Sequence, residues 1–137
     1  MKEFETYRGV VYPWHCDFND HMNVMHYVGK FDEATWHFLA EIGITPSYLK
    51  QEHRAMVAVE QNFKYVTELF AGNLVYVRTE LVELKPKATV FIHRMYNGET
   101  GALAAEGRMV GVHIDKDTRK SIPFPESILK RGTEPPR

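Results

Sequence analysis

Between Val24 and Ile42, side chains suited to one buried face recur at spacings of three and four: Val24, Tyr27, Val28, Phe31, Thr35, Phe38, Leu39 and Ile42. This is the period of an amphipathic α-helix. A helix of this length makes about five turns, and its apolar stripe needs a broad surface to cover it. Asn23 or Asp20 is placed to cap its start. Gly43 is placed to cap its end, and Pro46 discourages continuation.

On either side of this helix the pattern is that of strands. Residues 4–12 (FETYRGVVY) read as a first strand that Pro13 ends. Residues 47–54 read as a polar connection or a short helical turn. Strands follow at 56–66 with a bend near Gln61 or Asn62, at 74–84, at 88–96 and at 102–114. Asn97–Gly98 is a hairpin signal, and Gly107 and Gly111 imply curvature or close backbone approach. Strand, long helix, then four strands predicts an α+β domain in which one face of an antiparallel sheet packs on the helix. The free edges of such a sheet suit pairing between two copies in a homodimer. The segment 115–137 holds a polar turn and four prolines. The expected division is a domain over 1–125 and a flexible tail over 126–137.

The chain's 137 residues suffice for one domain. Seventeen Lys and Arg against eighteen Asp and Glu give no positive field for nucleic acid. Lys85 with Lys87 and Arg119 with Lys120 are local positives, read first as solvated surface. A single cysteine, Cys16, rules out an internal disulfide and suits a reducing compartment. No signal-peptide pattern opens the sequence and no window reaches membrane-spanning length, so the expected location is cytoplasmic, with no membrane partner.

The chemistry gathers just before the helix, where Asp17, Asn19, Asp20, His21 and Asn23 crowd into seven positions. A helix start offers free N–H groups and the positive end of the dipole, which stabilise an oxyanion. A carboxylate and an imidazole beside it suit hydrolysis. Three other readings stand beside that one. The loop is a polar turn and cap and nothing more. His15, Asp17, His21 and His26 hold a metal, although no recognised ligand spacing is present. Cys16 is a nucleophile, against the expectation of a buried, inert thiol.

The pattern Asp17-x-Asn19-x-His21-x-Asn23-x-x-x-Tyr27, within WHCDFNDHMNVMHYVGKFDEA, resembles the hot-dog fold acyl-CoA thioesterases, the 4-hydroxybenzoyl-CoA thioesterase superfamily. VEQNFKYVTELFAGNLVYV and HRMYNGETGALAAEGRMVGVHID are similar to its later strands, so the resemblance spans roughly residues 8–125. Within the superfamily the sequence looks closest to the small thioesterases of carnitine and betaine metabolism. The resemblance implies a hot-dog fold, a long central helix wrapped by a curved antiparallel sheet of about five strands. It implies hydrolysis of an acyl-CoA to a free acid and coenzyme A. Coenzyme A is part of the substrate, so no separate cofactor or metal is implied. A dimer, or a dimer of dimers (a homotetramer), is implied as well.

By the same resemblance Asp17 is nucleophile or general base. Asn19 and His21 orient water and substrate or move a proton, and Asn23 and Tyr27 shape the helix entry. The N–H groups around Val24 and Met25 hold the oxyanion, and Met25 and Tyr27 are close enough to line the pocket. Trp14 stacks on substrate or covers a dimer seam. Glu60 faces solvent, or faces the site across a subunit interface. Lys64, Arg94 and Arg108 are candidates for the CoA phosphates, while His93 and His113 are read as structural or surface residues. Two departures from the family pattern stand out: Val24 replaces a bulky aromatic of some branches, and Glu68 stands where a proline is common. The same fold also hosts acyl-thioester dehydratases, isomerases and non-catalytic acyl-CoA binders, so these remain the alternatives.

Overall fold

The structure is a computed structural model describing residues 2–134. Strand β1 (Glu3–Val10) leads through a short 3-10 turn (Pro13–His15) to helix α1 (Val24–Glu41). Helix α2 (Pro46–Gln51) precedes β2 (Arg54–Tyr65), β3 (Leu74–Leu84), β4 (Ala88–Asn97) and β5 (Leu103–Asp115), and helix α3 (Glu126–Thr133) follows.

Both ends of α1 are set by local chemistry. Asn23 caps the start, its side chain accepting the Met25 N–H at 2.9 Å. At the other end Gly43 adopts φ 95°. The Gly43 and Ile44 N–H groups donate back to the Ala40 and Leu39 carbonyls at 3.0 and 2.8 Å, the pairing of a Schellman stop. Tyr27, Phe31, Ala34, Phe38 and Leu39 are buried along one face. Asp32, Glu33, Trp36 and His37 stay in solvent on the other.

The sheet order is β1-β3-β4-β5-β2, every neighbouring pair antiparallel. β3, β4 and β5 form a meander, while β1 and β2 are edges with one neighbour each. This corrects the expectation of a curved sheet wrapped round a central helix: the sheet is open, neither closed nor strongly curled, and α1 lies across one face. The physical reason is on the helix itself. Only a stripe of α1 is apolar, and one sheet face suffices to cover it.

Two apolar clusters fill the space between. One joins Tyr27, Phe31 and Ala34 to Val75, Val77, Met95 and Ala105. The other joins Phe38, Leu39 and Ile42 to Leu81, Phe91, Met109, Phe124 and Ile128. Ile128 belongs to α3, so residues 126–133 form a packed helix where the sequence suggests a flexible tail. The last three positions of that tail lie outside the described residues.

Local details also differ from expectation. The bend in β2 is a bulge between Ala58 and Glu60, not at Gln61 or Asn62. The turn after Asn97 is longer than a two-residue hairpin, because Gly101 at φ 77° returns its N–H to the Asn97 carbonyl at 2.9 Å. Gly107 does mark close approach: a Cβ there would stand 3.0 Å from the Phe63 ring.

Candidate active site

The loop between the 3-10 turn and α1 is pinned on both sides. Cys16 and Met22 form an isolated antiparallel bridge, and the Met22 N–H donates to the Leu69 carbonyl at 2.7 Å. The chain reverses between them, with Asp20 at φ 66°, a conformation Asp tolerates better than most residues.

The side chain of Asp17 faces this hairpin's own donors. The Asn19 backbone N–H donates to Oδ1 and the Asn23 Nδ2 to Oδ2, both at 2.8 Å. Asn23 therefore holds the carboxylate with one end of its amide while capping α1 with the other. The Asn23 hydrogen bond, then the Asn19 N–H, lower the Asp17 pKa from its ordinary value, and His21 adds a smaller effect. Asp17 is partly exposed and remains a carboxylate at neutral pH.

His21 stands near two groups, with Nε2 3.7 Å from Glu68 Oε1 and Nδ1 3.4 Å from the Met22 carbonyl. In the sequence Glu68 stands out only as the residue in place of a common proline. Its place beside His21 depends on the β2–β3 connection meeting the loop before α1, which no local spacing announces.

The other expected residues divide clearly. Asn19 reaches Asp17 through its backbone, and its side chain is exposed. Val24 and Met25 are exposed at the helix start. The Met25 N–H is taken by Asn23, so Val24 offers the open N–H of this turn. Tyr27 is buried in the first cluster, its ring 5.2 Å from Tyr65 in an edge-on contact, and burial pushes its phenol pKa up. Trp14 is exposed and stacks on Tyr12 at 4.5 Å. Glu60 is exposed on the β2 edge, away from the Asp17 cluster of hydrogen bonds. Cys16 is half-buried, not fully buried as expected. Lys64 and Arg108 are exposed on β2 and β5. Arg94 is held between Glu80 and Glu106 at 2.9 and 3.0 Å, so its charge is already matched. Among the described residues, no cluster of His, Cys, Asp and Glu is arranged to hold a metal ion. No helix is long and apolar enough to cross a membrane.

A separate apolar cavity of about 660 Å³ lies between the second half of α1, α2, β2 and β5. Leu39, Leu49, Met56, Phe91 and Met109 line it, with Asp32, Lys50 and Lys116 among its charged groups; Asp17 does not reach it.

This open antiparallel sheet crossed by one long helix is similar to known proteins over nearly the whole chain. The model of the thioesterase-like superfamily matches residues 11–132, and the chain belongs to that hot-dog-fold family. The betainyl-CoA thioesterase of Pseudomonas aeruginosa is 27% identical over 92% of this chain and 79% of its own length. An L-carnitine dehydrogenase/betainyl-CoA thioesterase of Ruegeria pomeroyi is 31% identical over 87% of this chain, which spans only 24% of that longer protein. A hypothetical protein from Staphylococcus aureus, solved in complex with CoA, superposes with a TM-score of 0.87 at 22% identity. That match covers 96% of this chain and 83% of the other.

Proposed function

We propose that this protein is an acyl-CoA thioesterase in which Asp17 activates the attack on the thioester carbonyl. The observation that carries the reading is the doubly hydrogen-bonded Asp17 carboxylate, fixed to the cap of α1 through Asn23. Family membership makes thioester chemistry the natural use of that carboxylate.

As general base, Asp17 takes a proton from a water as its oxygen bonds to the carbonyl carbon. The resulting oxyanion lies at the helix start, where the open Val24 N–H and the positive dipole end stabilise it. Collapse breaks the carbon–sulfur bond, and the departing thiolate takes back the proton as coenzyme A. As nucleophile, the Asp17 carboxylate bonds to the carbonyl carbon and the carbon–sulfur bond breaks, leaving an anhydride and the coenzyme A thiolate. Water then splits the anhydride into the free acid and the Asp17 carboxylate, and a proton of that water goes to the thiolate. Either route needs the ionised carboxylate, and a lowered pKa secures it. Asn19 and His21 position the water and the substrate. Asn23, Met25 and Tyr27 shape the approach to the carbonyl.

Pairing of two copies completes the arrangement. Strand β2 is a free edge, and from Ala58 to Asn62 it is exposed on both faces. Val59, Tyr65 and Val66 expose large apolar side chains along and just beyond it. A long bare edge of this kind is normally covered, and a two-fold axis through β2 covers it with a second copy. That seam contains Glu60 and borders the 660 Å³ apolar cavity, which lies apart from the Asp17 of its own chain.

Betainyl-CoA is the first substrate to test, because relatives in P. aeruginosa and R. pomeroyi bear that name. Thiol release across betainyl-, short-chain, long-chain and aromatic acyl-CoAs is the deciding measurement. Release with at least one of them, abolished in Asp17→Asn, supports the proposal. Double-bond formation or migration without free thiol, or unchanged release by the variant, overturns it.

A further inference from the structure

On the opposite flank of the α1 start lies a second cavity, of about 530 Å³, between β1 and the first half of the helix. Its base holds Lys30, only 6% exposed. The ammonium donates to Tyr7 Oη at 3.0 Å and the Val10 carbonyl at 3.4 Å, and sits 5.2 Å from the centre of the Tyr7 ring. Both acceptors are neutral. Among the described residues, no carboxylate forms an ion pair with Lys30. One N–H and a full charge are therefore left over in a buried place, where an unmatched charge is costly.

The rest of the lining supplies donors and a flat surface. His15 Nδ1 accepts the Tyr12 N–H at 3.0 Å, which puts the ring proton on Nε2 and makes that atom a donor. The His26 ring lies 4.7 Å from that of His15. Glu33 is the one acid in the lining, and it is exposed. At the mouth Tyr12 and Trp14 stack within 7° of parallel, with Trp14 71% exposed.

We infer that this cavity binds a phosphorylated adenosine, its phosphate on Lys30 and His15 and its base against Trp14. A buried ammonium beside the His15 Nε2 donor selects a compact anion, and an exposed indole selects a planar base. The site adjoins the proposed catalytic loop, since the His15 carbonyl accepts the N–H of Asn23 at 2.9 Å. Two sources share this chemistry: the nucleotide end of an acyl-CoA, which rests on the function proposed above, and a free nucleotide.

Binding is measured apart from catalysis, by Trp14 fluorescence in a Trp36→Phe background titrated with adenosine 3′,5′-bisphosphate, adenosine and inorganic phosphate. The expected result is saturable quenching by the bisphosphate, with at least tenfold weaker binding of the other two. Lys30→Met should weaken the bisphosphate at least tenfold. Trp14→Ser, an exposed change that leaves the fold alone, should do the same by calorimetry. Absent saturation in the parent, or parental affinity in Trp14→Ser or in a Lys30→Met variant that melts as a folded protein, overturns the inference. Competition of the bisphosphate with acyl-CoA, and a fall in the ratio of kcat/KM for acyl-CoA to that for acyl-N-acetylcysteamine in Lys30→Met, assign the site to the substrate. Binding without competition assigns it to a free nucleotide. A protein that hydrolyses no thioester yet binds the bisphosphate refutes the proposed function alone.

Discussion

Two polar networks touch α1, and they are built to opposite ends. In the middle of the sheet, Thr6, Thr79, His93 and Thr35 form a chain sealed from solvent at its centre. Its direction follows from counting protons. Thr35 donates to the Phe31 carbonyl, so it accepts from His93 Nε2; His93 Nδ1 then accepts from Thr79, which accepts from Thr6. Each proton in the line has a place, and burial drives the His93 pKa down to about 3. At the helix start, Asp17 is held by two donors but keeps accepting capacity toward solvent. A buried network with every member satisfied fixes a core. One that orients a charged group and leaves it reachable is fit for chemistry.

The largest test of this contrast is Asp17→Asn. It should lower thiol release about a thousandfold, within the range for loss of a general base, while circular dichroism and melting remain those of the parent. A similar loss from His93→Gln in a folded variant would erase the distinction.

The second test is acid stability. The folded protein resists protonating His93, whereas the unfolded chain binds that proton near pH 6.5. Stability from this residue is therefore complete above about 6.5 and declines as pH falls toward 3, by up to about 1.4 kcal/mol per pH unit. Urea unfolding across that window should show the slope, and His93→Gln should flatten it.

A smaller effect is expected at the residue that joins loop and helix. Asn23→Ala removes the cap of α1, at about 1 kcal/mol of stability. It also removes the first cause of the low Asp17 pKa, so the acid limb of the pH–rate profile should move to higher pH. A profile that keeps its place would detach Asp17 from the activity. The smallest change is Glu68→Gln. This exposed pair with His21, at 3.7 Å, should contribute less than about 0.5 kcal/mol to the melting equilibrium.

Much of this was legible where local rules dominate. Residues 74–84 form the expected strand end to end. Asn23 and Gly43 cap α1 as their side chains and backbone freedom dictate. What escaped depends on contacts distant in sequence. Strand order is one case: residues 56–66 read as a strand like the later ones, and only tertiary pairing puts β2 at an edge beside β5. Helix α3 is another, because Pro123 and Pro125 read as breakers although Pro125 stands at its N-cap. Lys30 is a third, drawn inward by contacts to Tyr7 and Val10 that lie twenty or more positions away in the chain. His93 looked structural or superficial, and Thr35 and Thr79 make it structural.

Near the limits of the described residues, Lys2 and Arg131 meet at one pole of the molecule. Lys2 donates to the Arg131 carbonyl, and Arg131 in turn reaches the Glu41 carbonyl at 2.9 Å. Asp17 lies at the opposite end of α1, an eighteen-residue helix, about 27 Å away along its axis. A label attached at Lys2 or Arg131 would thus sit at the pole remote from the carboxylate. A linker joining the flanks of Lys2 and Arg131, with the chain reopened at the exposed turn around Gly101, should yield a permuted protein with an unaltered reaction centre.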